Sequence, residues 1–203
     1  HYDAGFRFLD ERDSVVEAGR QIATLAIRAP SRTERLLYYI TWLQPVPLGE
    51  VDTQRFFLAS ETLAGQPYDQ VEIVPPVPEN GFIIYPTGLT WDSISDSFFY
   101  LERNSRTFLR IDTEGNELGR FPHPEPPYQN FVFNLGLAVN EQDRTLLFTT
   151  SAYGDHGITK ILEMNFEGNL TGFELPLTGL GNEIRDIELY GRELVAVGSG
   201  SFS

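Results

Sequence analysis

One phrase of this 203-residue chain occurs twice, and that repetition constrains the fold more than any other feature. Gly88-Leu89-Thr90-Trp91-Asp92 is followed by Asp96 and the apolar run Phe98-Phe99-Tyr100-Leu101. Next come Phe108-Leu109-Arg110-Ile111-Asp112 and the turn Thr113-Glu114-Gly115-Asn116. The second copy reads Gly136-Leu137-Ala138-Val139-Asn140, Asp143, Leu146-Leu147-Phe148, then Ile161-Leu162-Glu163-Met164-Asn165 and Phe166-Glu167-Gly168-Asn169. Gly88 and Gly136 lie 48 positions apart. A shortened third copy begins at Arg185-Asp186-Ile187-Glu188-Leu189 and continues with Glu193-Leu194-Val195-Ala196-Val197.

Each full copy has four strand slots, with a tight Glu-Gly-Asn turn between the third and fourth. Gly and Asn tolerate the positive φ such a hairpin turn needs. Over the whole chain 18 Gly and 13 Pro separate short β-branched and aromatic runs, which outside the copies are Gln21–Ile27, Leu36–Leu43, Arg55–Ala59 and Gln70–Val74. No stretch sustains a clean helical period, because Gly19 interrupts Asp13–Arg28, the nearest candidate. The fold class is therefore all-β, and four-stranded units at this spacing are what a β-propeller of antiparallel blades requires. A second strand covered on both faces explains the unbroken apolar runs Phe98–Leu101 and Leu146–Phe148. A plain antiparallel sandwich with look-alike hairpins remains the competing architecture.

The segment 136–150 (Gly-Leu-Ala-Val-Asn-x-x-Asp-Arg-Thr-Leu-Leu-Phe-Thr-Thr) and the copy from Gly88 resemble blades of the NHL, SMP-30 (lactonase-like) and SdiA-regulated propeller group. There a G-L-x-x-[ND]…D-x-x-L-[FY]-V strand pair precedes an x-I-x-x-[IV]-[DN]-x-x-G hairpin. The resemblance covers about residues 82–200 and implies fold rather than activity. Lactonase-type members hold a catalytic divalent metal near the central channel through scattered Glu, Asn and Asp, and no residue here matches that constellation position by position. Leu101–Asp112 is also similar to a blade of esterase-like phytase propellers.

Two domain organisations follow. In the first, 1–203 is a single four-bladed propeller, with N-terminal strands Gly5–Leu9 and Ser14–Glu17 closing the last blade. In the second, 1–76 forms a Calx-β-like or immunoglobulin-like sandwich, and 81–203 is a propeller part joined through the Pro75–Asn80 linker. The chain opens at His1 without a signal-like segment, as a processed protein or a fragment of a larger ring would.

Charge and chemistry narrow the function classes. The net charge is −14, which repels nucleic acid and anionic membrane surfaces, so neither is an expected partner. Lys160 is the only lysine among 15 basic residues. There is no cysteine, which removes disulfide scaffolds, thiolate metal sites and cysteine nucleophiles. No apolar run is long enough for a membrane-spanning helix. The chain carries no G-x-S-x-G, Walker A, G-x-G-x-x-G or H-E-x-x-H motif.

What remains are residues in connections where propellers form ligand sites. Glu102 and Arg103 follow the apolar strand of one copy, Asp155 and His156 occupy the matching connection of the next, and Glu183 and Arg185 stand at the entrance of the third. They are the candidate binding residues, with no catalytic residue and no metal ligand assigned. Asn169, in the sequon Asn169-Leu170-Thr171, is a candidate glycan acceptor. The leading expectation is a non-catalytic binding or scaffold module, secreted, extracellular or periplasmic, engaging a protein or glycan through propeller loops. One alternative is a metal-dependent hydrolase of the lactonase or phosphoesterase type, the only reading that brings a cofactor, a divalent metal such as calcium. The other is a structural subunit of a larger extracellular assembly.

Overall fold

The computed structural model describes residues 20–31, 34–43, 55–64, 66–75, 84–124, 136–151, 159–177, 183–191 and 193–199. Among these there is no helix, and every regular element is a strand. β1 (Arg20–Arg28), β2 (Leu36–Leu43), β3 (Arg55–Thr62) and β4 (Pro67–Ile73) form one antiparallel sheet in sequence order. β5 (Pro86–Asp92), β6 (Ser97–Glu102), β7 (Thr107–Asp112) and β8 (Glu117–Pro122) form the second. β9 (Leu137–Asn140), β10 (Thr145–Ser151), β11 (Thr159–Asn165) and β12 (Leu170–Pro176) form the third. β13 (Glu183–Tyr190) and β14 (Glu193–Ser199) pair as a two-stranded fourth. The strands predicted for Gly5–Leu9 and Ser14–Glu17 lie outside the described residues.

The first strands of successive sheets are neighbours: β1 packs beside β5, β5 beside β9, and β9 beside β13. The Leu89 amide reaches across this seam to Thr24 Oγ1 at 2.8 Å. Core residues sort into three layers that alternate with the sheets. Tyr38, Ile40, Phe56 and Leu58 of the first sheet meet Phe98, Tyr100, Leu109 and Ile111 of the second. Phe99, Leu101 and Phe108 on the opposite face meet Leu137, Leu146, Phe148 and Leu162. Ala138, Leu147 and Ile161 then meet Ile187. Strand side chains alternate between faces, so a sheet enclosed on both sides needs consecutive apolar residues. The Phe98–Leu101 run satisfies this by dividing its residues between two layers, every one of them 2% exposed or less.

The repeat is reproduced down to its turns. In the hairpin between β7 and β8, the Asp112 amide donates to the Asn116 carbonyl, the Gly115 amide to the Asp112 carbonyl, and the Asn116 amide to Asp112 Oδ1. Between β11 and β12, Asn165, Gly168 and Asn169 make the same three bonds. Gly115 has φ +81° and Gly168 φ +86°, a left-handed position where a Cβ is costly. The turn after each first strand also ends on a left-handed residue, Asp96 (φ 47°) and Arg144 (φ 57°). The geometry therefore aligns Asp96 with Arg144, one position beyond the Asp143 that the sequence phrase pairs with it. Gly88 and Gly136 both stand at the entry of a first strand, for different reasons. Gly88 (φ 56°) sits in the β5 irregularity between Thr87 and Thr90. Gly136 lies against the backbone of β13, where a Cβ would be 2.6 Å from the Ile187 nitrogen.

Candidate functional site

Arginine–carboxylate pairs join the sheets at the end where the first strands finish. Arg28, the last residue of β1, grips Asp96 bidentately at 2.7 Å on each oxygen. Arg144, in the turn after β9, grips Asp92 at 2.7 and 2.9 Å. Asp92 is fully buried. Burial opposes its charge, yet bonds from Arg144 and Ser95 hold its carboxyl below the ordinary value. Asp96 is held low as well, chiefly by Arg28. It also accepts from the Trp91 indole nitrogen at 3.0 Å, which fixes the orientation of that ring. The same end carries a contact from the Ser93 amide to Glu141 Oε1 at 2.9 Å.

Between these turns lies a cavity of about 350 Å³, within the range of small-molecule pockets. Every sheet contributes the late residues of its first strand: Ala26–Ile27, Thr90–Trp91, Val139–Asn140 and Glu188–Leu189, with Glu141, Gln142 and Gly191 from the turns. The four first strands therefore run in the same sense around an axis, and the cavity sits on that axis at one end. Among the described residues its polar lining consists of two carboxylates, two amides, a threonine hydroxyl and an indole, with no lysine, arginine or histidine. Asp186 and Glu188 share the face of β13 opposite the buried Ile187. Their carboxylates reach solvent, yet the surrounding protein disfavours their charge. Burial raises Asp186 to about 6, and burial together with the Asp186 charge raises Glu188 to about 7.

Four of the residues singled out from the sequence, Glu102, Arg103, Glu183 and Arg185, stand away from this end. Glu102 closes β6 and pairs with Pro86 at the start of β5, the far end of that strand from Trp91. Its carboxylate is fully buried and accepts the amides of Tyr85 (2.7 Å), Asn104 (3.2 Å) and Ser105. In this arrangement Glu102 organises the 103–106 turn. Arg103 is half-buried over the Tyr85 ring at 5.7 Å, and burial lowers its pKa. Glu183 and Arg185 belong to the first residues of β13, also away from the cavity. Asp155 and His156 lie outside the described residues. Asn169 is exposed on its hairpin turn, and Thr171 is exposed beside it.

The cavity residues Trp91, Glu141, Gln142 and Glu188 carry no local motif. The available signal was positional: they occupy corresponding slots of the repeat, at the end of the first strand and in the turn that follows. Among the described residues no group of three or more His, Asp or Glu side chains converges as a metal site.

No protein-family profile matches the chain, and no curated protein sequence matches it. Solved structures do. A Lactobacillus plantarum protein superposes with a TM-score of 0.54 at 17% identity, over 89% of this chain and 49% of that one. A chain of a nidogen/laminin complex superposes with a TM-score of 0.52 at 12% identity, over 89% of this chain and 73% of that one. This chain thus spans about half the length of the first of these relatives. The neighbours are β-propeller proteins built of four-stranded antiparallel sheets. With its described sheets arranged around an axis, the chain is an all-β protein of propeller type, and these open sheets fit a partial propeller.

Proposed function

We propose that this protein is a non-catalytic binding module that engages a protein or glycan partner through the turns and cavity at the axial end of its sheets. It acts outside the cytoplasm, in a secreted, extracellular or periplasmic setting. The observation that carries the reading is the cavity itself. Four sheets converge on one polar, aromatic-bearing concavity, whose walls are set by paired groups rather than by an activated nucleophile. Asp92 and Asp96 hold arginines, and Glu102 holds three backbone amides, so these carboxylates brace turns. The likeness to a chain of a nidogen/laminin complex supports a protein partner for the fold in general.

The test pairs a binding screen with an activity screen. Purified protein is passed over arrays of extracellular proteins and glycans, and hits are repeated with Trp91→Leu and with Glu141→Gln. Saturable binding reduced by those changes, in protein that keeps its urea midpoint, is the expected result. Chelator-sensitive turnover of lactones or phosphoesters with added calcium, zinc or manganese would instead establish the hydrolase reading.

A further inference from the structure

We propose that the axial cavity bordered by Trp91, Glu141 and Glu188 receives one organic cation, the ammonium or guanidinium group of a lysine or arginine side chain presented by a protein partner. The inference deepens the binding-module reading and rests on it.

Three observations lead there. First, among the described residues the cavity lining has two carboxylates and no basic residue. Two described arginines at this end are held by other carboxylates: Asp96 binds two nitrogens of Arg28, and Asp92 binds two of Arg144. With a net charge of −14 behind it, a concavity that carries two carboxylates favours a cation over an anion. Second, Trp91 lines the cavity with its indole nitrogen bound to Asp96, so the ring is a fixed aromatic wall. Indole is the best aromatic partner for an ammonium or guanidinium group. Glu141 is similarly placed by the Ser93 amide on one of its oxygens. Third, the site is poor for a hard divalent ion. Calcium takes six to eight oxygens, and no three acidic or histidine side chains converge among the described residues. The cavity volume of about 350 Å³ accepts a long side chain and not a folded segment.

The experiment uses the full chain and intrinsic fluorescence. Trp42 is buried in the core, so a change on titration reports Trp91, and Trp91→Phe identifies the source. The probes are Nα-acetyl-lysine amide, Nα-acetyl-arginine amide, the neutral Nα-acetyl-norleucine amide and calcium chloride. The basic probes are expected to bind at least about tenfold tighter than the neutral one, with affinity falling as salt is raised. Glu188→Gln is expected to weaken them about tenfold, the scale of one charge-assisted contact, without moving the urea midpoint downward. A Lys-bearing peptide that binds tighter than the free amide identifies a partner's side chain as the source, whereas equal affinity identifies free amines and overturns the partner assignment. Equal response to norleucine amide, competition by calcium at equimolar concentration, or unchanged affinity in Glu188→Gln each overturns the site. A partner from the arrays that still binds Glu188→Gln normally leaves the module reading standing and removes this one. Hydrolytic turnover would do the reverse.

Discussion

Gly136→Ala should separate the third sheet from the fourth. A Cβ built at this position lies 2.6 Å from the Ile187 nitrogen, 2.9 Å from the Asp186 carbonyl carbon and 3.0 Å from the Asp186 Cα. All three are backbone atoms of β13, so no side chain can swing aside. Favourable carbon contacts begin near 3.5 Å, so β9 and β13 must part by roughly 0.5–0.9 Å. That gap would open in the layer formed by Ala138, Leu147, Ile161 and Ile187. Overpacking of this kind costs about 1–3 kcal/mol. Against it stands a gain of about 0.4–1 kcal/mol, because alanine has fewer unfolded conformations to lose. The cost exceeds the gain, and a net destabilisation of about 1–2 kcal/mol is expected. Equilibrium urea unfolding reads it as a lower midpoint at unchanged slope. Gly172→Ala serves as the contrast, since nothing lies within 4 Å of its Cβ and only its φ of +92° resists the change. A midpoint for Gly136→Ala equal to or above that of the parent protein would refute the close approach of β9 to β13.

Phe99→Ala removes a fully buried ring from the layer between the second and third sheets and should cost about 3–5 kcal/mol by urea unfolding; a midpoint that barely moves would place that strand at the surface. Glu102→Gln cannot accept three amides with two charged oxygens, so it should lose about 1–3 kcal/mol and raise the hydrogen-exchange rates of the 103–106 amides before those of the core. Asp186 and Glu188 have folded-state pKa values raised to about 6 and about 7, so their stabilising share is present below the ordinary carboxylate range and lost as pH rises through 6–7. Stability should therefore decline between about pH 4 and 7 and level off above, and Glu188→Gln should flatten that decline, an outcome read from urea midpoints across the range. A profile unchanged by the substitution would show that Glu188 ionises as it does in the unfolded chain.

The strands were legible because their signal is local. Leu36–Leu43 matches β2 end for end, and most other runs fall within two residues of the observed strands. β4 is displaced more, running Pro67–Ile73 rather than Gln70–Val74, because pairing with β3 rather than local apolarity sets its start. The site was less legible. Glu102 reads as a loop charge in sequence, since a carboxylate beside Arg103 and Asn104 ordinarily faces water. Only the folded turn shows three amides closing over it. The cavity residues gave only a positional signal, their corresponding slots in the repeat, because a propeller assembles its axis from one short segment per repeat.

What the amino-acid sequence determined alone is the unit: four strands, alternating apolar faces, and an Asp/Asn-headed hairpin with a left-handed glycine at Gly115 and Gly168. Each of these is a relation between residues a few positions apart, which backbone sterics and strand periodicity enforce wherever the chain lies. Tertiary structure alone decided how the units meet. Arg144 reaches Asp92 across 52 positions, Arg28 reaches Asp96 across 68, and Glu188 comes to share a cavity with Trp91. Such pairings depend on the distance between sheets, which is set by the summed packing of three core layers and has no counterpart in any local pattern of residues.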